Sequence, residues 1–292
     1  MQAEPQKTWT IGSLVKWATD DFRTRGIENP RLDAEVLVAF ALGIDRTRVI
    51  IEAMRPLEPA ELALLRDLVK RRRSREPIAY LRGEREFYGR TFHVDPRVLI
   101  PRPDTEALVE VALARSTHVS LSMRLLDLCT GSGCVAITMA RQRPTSDVVA
   151  SDLSPDALAV ARHNAYRLGA YNVAFVESDL FASIPAGSLF DVITANPPYI
   201  ASGEIGTLMA DVRDFEPRMA LDGGPDGLDF VRRIVSRAPA FLDEGGVLAI
   251  EVGAGEAPAT RALFEESGYR DIAVERDYGK IERVVSGVRP DR

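Results

Sequence analysis

Four consecutive residues, Asn196-Pro197-Pro198-Tyr199, combine groups that can act on a planar amine. The Asn side chain offers one carbonyl acceptor and one amide donor. Two prolines fix φ and carry carbonyls with no N–H of their own to compete. The Tyr ring supplies a flat wall. Asn196 and the carbonyl of Pro197 are two acceptors for one –NH2 group. Holding both hydrogens favours rehybridisation of the nitrogen and aims its lone pair at an electrophile. An amide nitrogen, a poor nucleophile because its lone pair is delocalised, gains from such a grip. An isolated Asn-Pro-Pro is also found as a plain turn after a strand, so its placement decides.

Asn196 directly follows the apolar run Phe190 to Ala195, which reads as a buried strand. Upstream, a first strand ends Asp127-Leu128-Cys129-Thr130-Gly131-Ser132-Gly133, where two glycines let the backbone turn sharply and approach a ligand. Gly131-x-Gly133-x-x-Ala136 satisfies the dinucleotide fingerprint, so a nicotinamide enzyme is one candidate. About twenty residues on, Asp152 ends a second strand, where a carboxylate can accept from both ribose hydroxyls. Ser154 reads as the cap of the next helix, which leaves Asp152 and Leu153 for a ligand. After a third strand, Asp179 can accept from an adenine amino group and Leu180 can pack on the ring. NAD and S-adenosylmethionine both carry an adenosine, so none of these residues separates them. The Asn196 clamp does. Hydride transfer has no use for it, whereas methyl transfer from a sulfonium needs nitrogen, carbon and sulfur in line. Positioning of this kind can supply about 7–11 kcal/mol, and the proton can leave after transfer without a strong base.

The elements around these residues fall into two groups. Ile11, Leu14, Val15, Ala18 and Phe22 recur at helical spacing, as do Leu32, Val36, Leu37, Phe40 and Ala41. A third series, Leu62, Leu65, Leu68 and Val69, begins after Pro59, a favoured first-turn residue. Residues 1–75 are therefore expected to form a small helical bundle. Its last helix ends Lys70-Arg71-Arg72-Arg73-Ser74-Arg75. Cations there complement the helix dipole, so a solvated basic face is expected, with contact to an acidic partner or RNA as the alternative. Residues 76–102 read as a connector with a hairpin around Gly89-Arg90, and residues 103–292 as a second domain. There, strands at Arg124 to Cys129, Val148 to Asp152, Val173 to Glu177, Phe190 to Ala195 and Gly246 to Val252 alternate with helices. This pattern predicts a doubly wound α/β sheet with its ligand at the strands' carboxyl ends. Ile272 to Arg276 and Glu282 to Gly287 predict an antiparallel edge.

Composition excludes several classes. The 292 residues are 46% hydrophobic and 27% charged, which fits two globular domains with ample cores. The net charge of −6 argues against a protein that grips duplex DNA by its phosphates, and no sequence-specific nucleic-acid binding is expected. No run approaches the roughly 18 apolar residues of a membrane span. The opening MQAEPQKTWT lacks a secretion-signal pattern, and the two cysteines, Cys129 and Cys134, flank the glycine loop rather than form a disulfide framework. A cytoplasmic protein is expected. Three histidines, none clustered, predict no metal site.

The chain resembles the release-factor glutamine methyltransferases, the HemK family of S-adenosylmethionine enzymes. The resemblance is carried by Glu76-Pro77-Ile78-Ala79-Tyr80-Leu81, Arg85-Glu86-Phe87-Tyr88-Gly89, Leu99-Ile100-Pro101-Arg102-Pro103-Asp104-Thr105-Glu106, the glycine loop and Asn196 to Ile200. Asp211-Val212-Arg213-Asp214-Phe215-Glu216-Pro217, Arg276 to Gly279 and Glu282 to Val284 complete it. It implies a Rossmann-like methyltransferase domain, mostly parallel with an antiparallel edge, after a helical substrate-recognition domain. It implies S-adenosylmethionine as cofactor, held by Cys129, Thr130, Gly131, Ser132, Gly133, Asp152, Leu153, Asp179, Leu180 and Asn196. It implies that Asn196, Pro197, Pro198 and Tyr199 hold and activate the target. In the family that target is the glutamine of the Gly-Gly-Gln motif in class 1 peptide chain release factors. Three positions depart from the family pattern: Cys129 replaces a common glycine, Leu180 an aromatic found in some members, and Val252 the histidine of a Glu-His-Gly. The Cys-Thr-Gly-Ser-Gly-Cys spelling also resembles a sister group that methylates a glutamine of a ribosomal large-subunit protein. A DNA adenine methyltransferase, which would flip its base into the clamp, and a non-enzymatic translation-associated module are the remaining alternatives.

Overall fold

The computed structural model describes residues 8–116 and 122–290; most of the N-terminal stretch read for a secretion signal lies outside the described residues. The chain divides into two compact units, one of Met1–Gly83 with Ala210–Phe215 and one of Glu84–Met209 with Glu216–Arg292.

The first unit is helical. Its helices are α1 (Ile11–Thr24), α2 (Pro30–Leu42), α3 (Arg46–Ile51), α4 (Pro59–Arg73) and α5 (Ile78–Arg82). Local signals set their limits. Thr10 and Ser13 form a capping box at the start of α1, Asp45 caps α3, and Pro30 and Pro59 open α2 and α4. Gly43 closes α2 in the left-handed conformation. Phe22, Leu37, Leu68 and Leu81 pack in one apolar cluster, and Ile11, Leu14, Val38 and Leu65 in a second. The face of α2 differs from the expected one. Leu32 and Phe40 are exposed, and Ala34, Glu35, Leu37, Val38 and Ala39 are buried, because α2 packs on both α1 and α4.

The basic run at the end of α4 is not a solvated face. Arg72 is buried, with Nε 2.8 Å from Asp33 and Nη1 2.6 Å from Asp211. Arg75 joins Asp211 at 2.5 Å, Arg73 meets Asp21 at 3.0 Å, and Arg71 meets Glu76 at 2.5 Å. Asp211 arrives from a segment far along the chain, which spacing along α4 alone could not reveal.

The second unit opens with a hairpin, β1 (Glu84–Phe87) and β2 (Arg90–His93). Phe87 pairs with Arg90, so the turn is Tyr88-Gly89, both at positive φ as a two-residue hairpin turn requires. There follow α6 (Glu106–Arg115), β3 (Arg124–Leu128), α7 (Cys134–Gln142), β4 (Asp147–Asp152), α8 (Pro155–Leu168), β5 (Val173–Glu177) and β6 (Phe190–Ala195). The short α9 (Ala210–Arg213) lies in the segment belonging to the helical unit. The unit closes with α10 (Asp229–Arg237), β7 (Leu242–Glu251), α11 (Ala257–Glu266), β8 (Arg270–Arg276) and β9 (Glu282–Val288).

Seven strands form one sheet in the order β5-β4-β3-β6-β7-β9-β8. β3 to β7 are parallel, and β9 runs antiparallel between β7 and β8. The expected mixed sheet with an antiparallel edge is the one found. Leu125 to Leu128 of β3, Val192 to Ala195 of β6 and Val247 to Glu251 of β7 are buried at every position, as in a parallel sheet covered on both faces. The chain winds outward from β3 through β4 to β5, then returns to β6 on the other side. That reversal opens a crevice at the carboxyl ends of β3 and β6, where such sheets place ligands. No helix among the described residues is long and apolar enough to cross a membrane.

Candidate active site

Sheet register brings the chemistry together. Leu128 of β3 pairs with Ser151 of β4 and Ala195 of β6, and Ala195 pairs with Ile250 of β7. The next residue on each strand therefore falls in one row at the carboxyl edge: Cys129, Asp152, Asn196 and Glu251. A cavity opens along this edge. Its wall includes Cys129, Thr130, Gly131, Ser132, Asp152, Leu153, Asp179, Leu180, Asn196 and Pro198. Most of the residues singled out in the sequence are thus gathered at one site. Gly133, Pro197 and Tyr199 do not line it.

The glycine loop is built by backbone constraints. Cys129, Gly131 and Gly133 all have positive φ, at 56°, 54° and 81°. A Cβ on Gly133 would come within 2.8 Å of the Ile137 side chain, so α7 can pack this closely only against glycine. A Cβ on Gly131 would meet nothing within 4 Å, so the loop backbone there faces open space. Asp152 was expected to be left for a ligand; instead its two oxygens accept from Gly131 N at 2.8 Å and Ser154 N at 2.9 Å. Ser154 does cap α8, accepting from Ala157 N. The Asp152 carboxylate locks the loop to the β4–α8 turn while still lining the cavity. Burial pushes its acidity down, raising its pKa despite these amides.

Several residues that position the site carry no motif. Asp127, buried at the end of β3, accepts from Thr130 Oγ1 at 2.6 Å and Thr194 Oγ1 at 2.7 Å. Loss of water raises its pKa to about 6 against the pull of those hydroxyls. Asn164 of α8 bonds His93 N, His93 O and Ser132 O, tying the hairpin to the glycine loop. Asp179, expected to receive an adenine amino group, is paired with Arg233 at 2.7 Å. Leu180 lies on the cavity wall and also packs into the core. Arg102 and Glu106 have separate partners. Glu106 accepts the amide of Tyr88 at 2.8 Å, holding the hairpin turn. Arg102 lines the cavity and pairs with buried Glu216 at 2.6 Å, while Glu216 also accepts from Ile100 N.

Asn196 ends β6 with its Nδ2 donated to Thr105 Oγ1 at 3.2 Å. The backbone after it is braced by a loop of glycines. Ile200 N donates to Leu221 O, and Gly223 N donates to Ile200 O. A Cβ on Gly223 would fall 2.8 Å from Pro198 O, and one on Gly227 2.4 Å from Tyr199 O. Burial, with the Glu251 carboxylate nearby, pushes the Tyr199 phenol up to about 12, so it stays protonated. Thr105 and Glu251 stood in the sequence only as members of motif stretches with no role assigned, and Gly223 and Gly227 were not singled out. The glycine cluster from Gly223 to Gly227 was the one available signal, since it forces a tight loop.

Fold and site together define a methyltransferase with a Rossmann-like sheet. Residues 13–83 match the family described as PrmC N-terminal domain, and residues 104–212 that described as Methyltransferase small domain. A release factor glutamine methyltransferase from Geobacter sulfurreducens is 44% identical over 284 residues, covering 97% of this chain and 98% of its own. One from Chlorobaculum tepidum is 40% identical over 289 residues, covering 96% and 98%. Among solved structures, a methyltransferase from Pyrococcus furiosus superposes with a TM-score of 0.51 at 16% identity, over 70% of this chain and 91% of that one, a likeness of fold. The chain belongs to the release factor glutamine methyltransferase family.

Proposed function

We propose that this protein transfers a methyl group from S-adenosylmethionine to the side-chain amide nitrogen of a glutamine. The proposed target is the Gly-Gly-Gln motif of class 1 peptide chain release factors, in the cytoplasm. The observation that carries the reading is a single cavity walled at once by the glycine loop with Asp152 and by Asn196 with Pro198. One compartment thus holds both a nucleoside-type site and an amide clamp.

The residues present fit the cofactor. The open backbone at Gly131 allows close approach, and Asp127 and Asp152, neither paired with a cation among the described residues, give the wall a negative character. The two wall arginines are already engaged, Arg102 by Glu216 and Arg97 by Asp95. A cationic sulfonium suits this surroundings, whereas the pyrophosphate of a nicotinamide cofactor would be repelled. Bound there, S-adenosylmethionine would supply an activated methyl group. Thr130, Gly131, Asp152 and Leu180 would hold it. Asn196 Oδ1 and the Pro197 carbonyl would accept from the target –NH2 and fix its direction. Tyr199, protonated, would wall the amide and exclude water. The helical unit would help recognise the release factor.

The test is the mass of a class 1 release factor after incubation with protein and cofactor. A gain of one methyl on the Gly-Gly-Gln peptide is expected. Binding of cofactor without transfer, or methylation of plain duplex DNA instead, would refute the proposal.

A further inference from the structure

The carboxyl edge of β7 holds a buried carboxylate for which the proposed chemistry has no stated use. Continuing the register of Ala195 with Ile250 puts Asn196 beside Glu251. Glu251 is 1% exposed and Thr105 2%. Asn196 Nδ2 donates to Thr105 Oγ1 at 3.2 Å. Thr105 and Asn196 both face the Glu251 carboxyl group, and their polar hydrogens oppose the rise in its pKa that burial causes. Its Oε2 is buried with no hydrogen-bond partner. A hydroxyl that accepts from an amide still has one proton to give, and an ionised carboxylate can only accept. With Glu251 ionised, polarity can therefore run only one way, from the Asn196 amide and the Thr105 hydroxyl towards Glu251.

We infer that Glu251 is a positioning residue for methyl transfer: as a carboxylate it sets, through Thr105, which end of the Asn196 carboxamide meets the target amide. This rests on the reading of the protein as a glutamine methyltransferase. In the set orientation Nδ2 is committed to Thr105 and Oδ1 is the atom offered to the target –NH2. Protonated Glu251 can donate to Thr105, whose hydroxyl then donates to Asn196. The chain reverses, and the carboxamide presents a donor to a donor.

The charged and titratable groups facing Glu251 come from four other elements. Asp104 lies just before α6, Cys134 in the first turn of α7, Tyr199 after β6, and Arg283 on β9. Arg283 is itself held by Asp277 at 3.0 Å and Asp104 at 3.2 Å. Burial raises the Glu251 pKa to about 7, against Thr105, Arg283 and Asn196. Reversal therefore falls within the range where the protein can be assayed.

The experiment is a pH profile of kcat with release factor and labelled S-adenosylmethionine. It compares the intact chain with Glu251→Gln, Thr105→Val and Thr105→Ser. The unaltered protein is expected to gain activity as pH rises through about 7 and then level off. Glu251→Gln should lower the plateau roughly tenfold, as expected for a lost charge-assisted bond, flatten the acid limb and leave cofactor affinity unchanged. Thr105→Val should do the same, and Thr105→Ser should restore both plateau and limb. An unchanged limb and plateau in Glu251→Gln would overturn the inference. If that variant does not fold, an unaltered profile in Thr105→Val overturns it. Absence of any transfer by the unaltered protein would instead overturn the functional reading.

Discussion

Gly227→Ala tests whether the reacting geometry depends on the glycine loop behind the clamp. Gly227 has φ of +81°, and a Cβ there would sit 2.4 Å from Tyr199 O and 2.5 Å from Glu256 Oε1. Real Cβ contacts essentially never fall under 3.0 Å, so at least 0.6 Å of movement is needed (3.0 − 2.4). Glu256 can swing aside, but Tyr199 O is backbone and moves only with Pro197 and Pro198. The left-handed conformation costs an alanine about 1–2 kcal/mol, and a displacement approaching 1 Å can cost about 100-fold in rate. We expect a loss of about 2 kcal/mol in stability by urea denaturation and a fall in kcat of about 10–100-fold. Affinity for S-adenosylhomocysteine, measured by calorimetry, should stay within about twofold, because the loop touches neither Thr130 nor Asp152. Undiminished kcat in a folded variant, or loss of cofactor affinity equal to the loss in kcat, would refute the reasoning.

Asn196→Ala removes an acceptor for the target amide and should lower turnover by about two to three orders of magnitude with cofactor binding nearly unchanged; equal loss of both, by calorimetry and methyl-transfer assay, would make Asn196 a structural residue. Arg72→Met strands Asp33 without a cation and leaves Asp211 only Arg75, and should cost about 3 kcal/mol in the helical unit, read by hydrogen exchange of α2 and α4; an unchanged exchange rate would contradict the ion-pair reading. The pH dependence of stability has a definite sign for the two buried carboxyl groups. Asp127 is raised to about 6 and Glu251 to about 7, so the folded state keeps protons that the unfolded state has released. Their contribution therefore falls as pH rises from about 4 to about 7, by about 3 kcal/mol for each group. Urea denaturation of Glu251→Gln should accordingly gain on the unaltered protein between pH 5 and pH 8; an identical gap at both would rule this out.

What could be read from sequence followed from short-range physics. The glycine loop declares itself because positive φ is tolerated at glycine, and Gly131 and Gly133 both adopt it. The alternation of strands and helices is written in periodicity, and β3 to β7 occupy the expected stretches. Asn196 and its prolines are informative because their donors, acceptors and fixed φ are intrinsic to the residue types. Other readings failed where a distant segment intervenes. Arg72 and Arg75 have the composition of a solvated helix end, yet Asp211 neutralises both from more than 130 residues away. Asp152 has the type and spacing of a ribose acceptor and lines the cavity; that its oxygens also accept the Gly131 and Ser154 amides was not legible in the spacing.

Sequence alone therefore determined the class of sheet and the glycine loop, and marked Asn196 with its prolines as the candidate clamp, since each rests on properties a residue carries with it. Only the tertiary structure decided which side chains surround Asn196. Thr105, Asn196 and Glu251 lie on three separate elements, and it is sheet register that makes them neighbours. Burial then turns an ordinary glutamate into a group that titrates near neutrality, a property of its surroundings that no residue code contains.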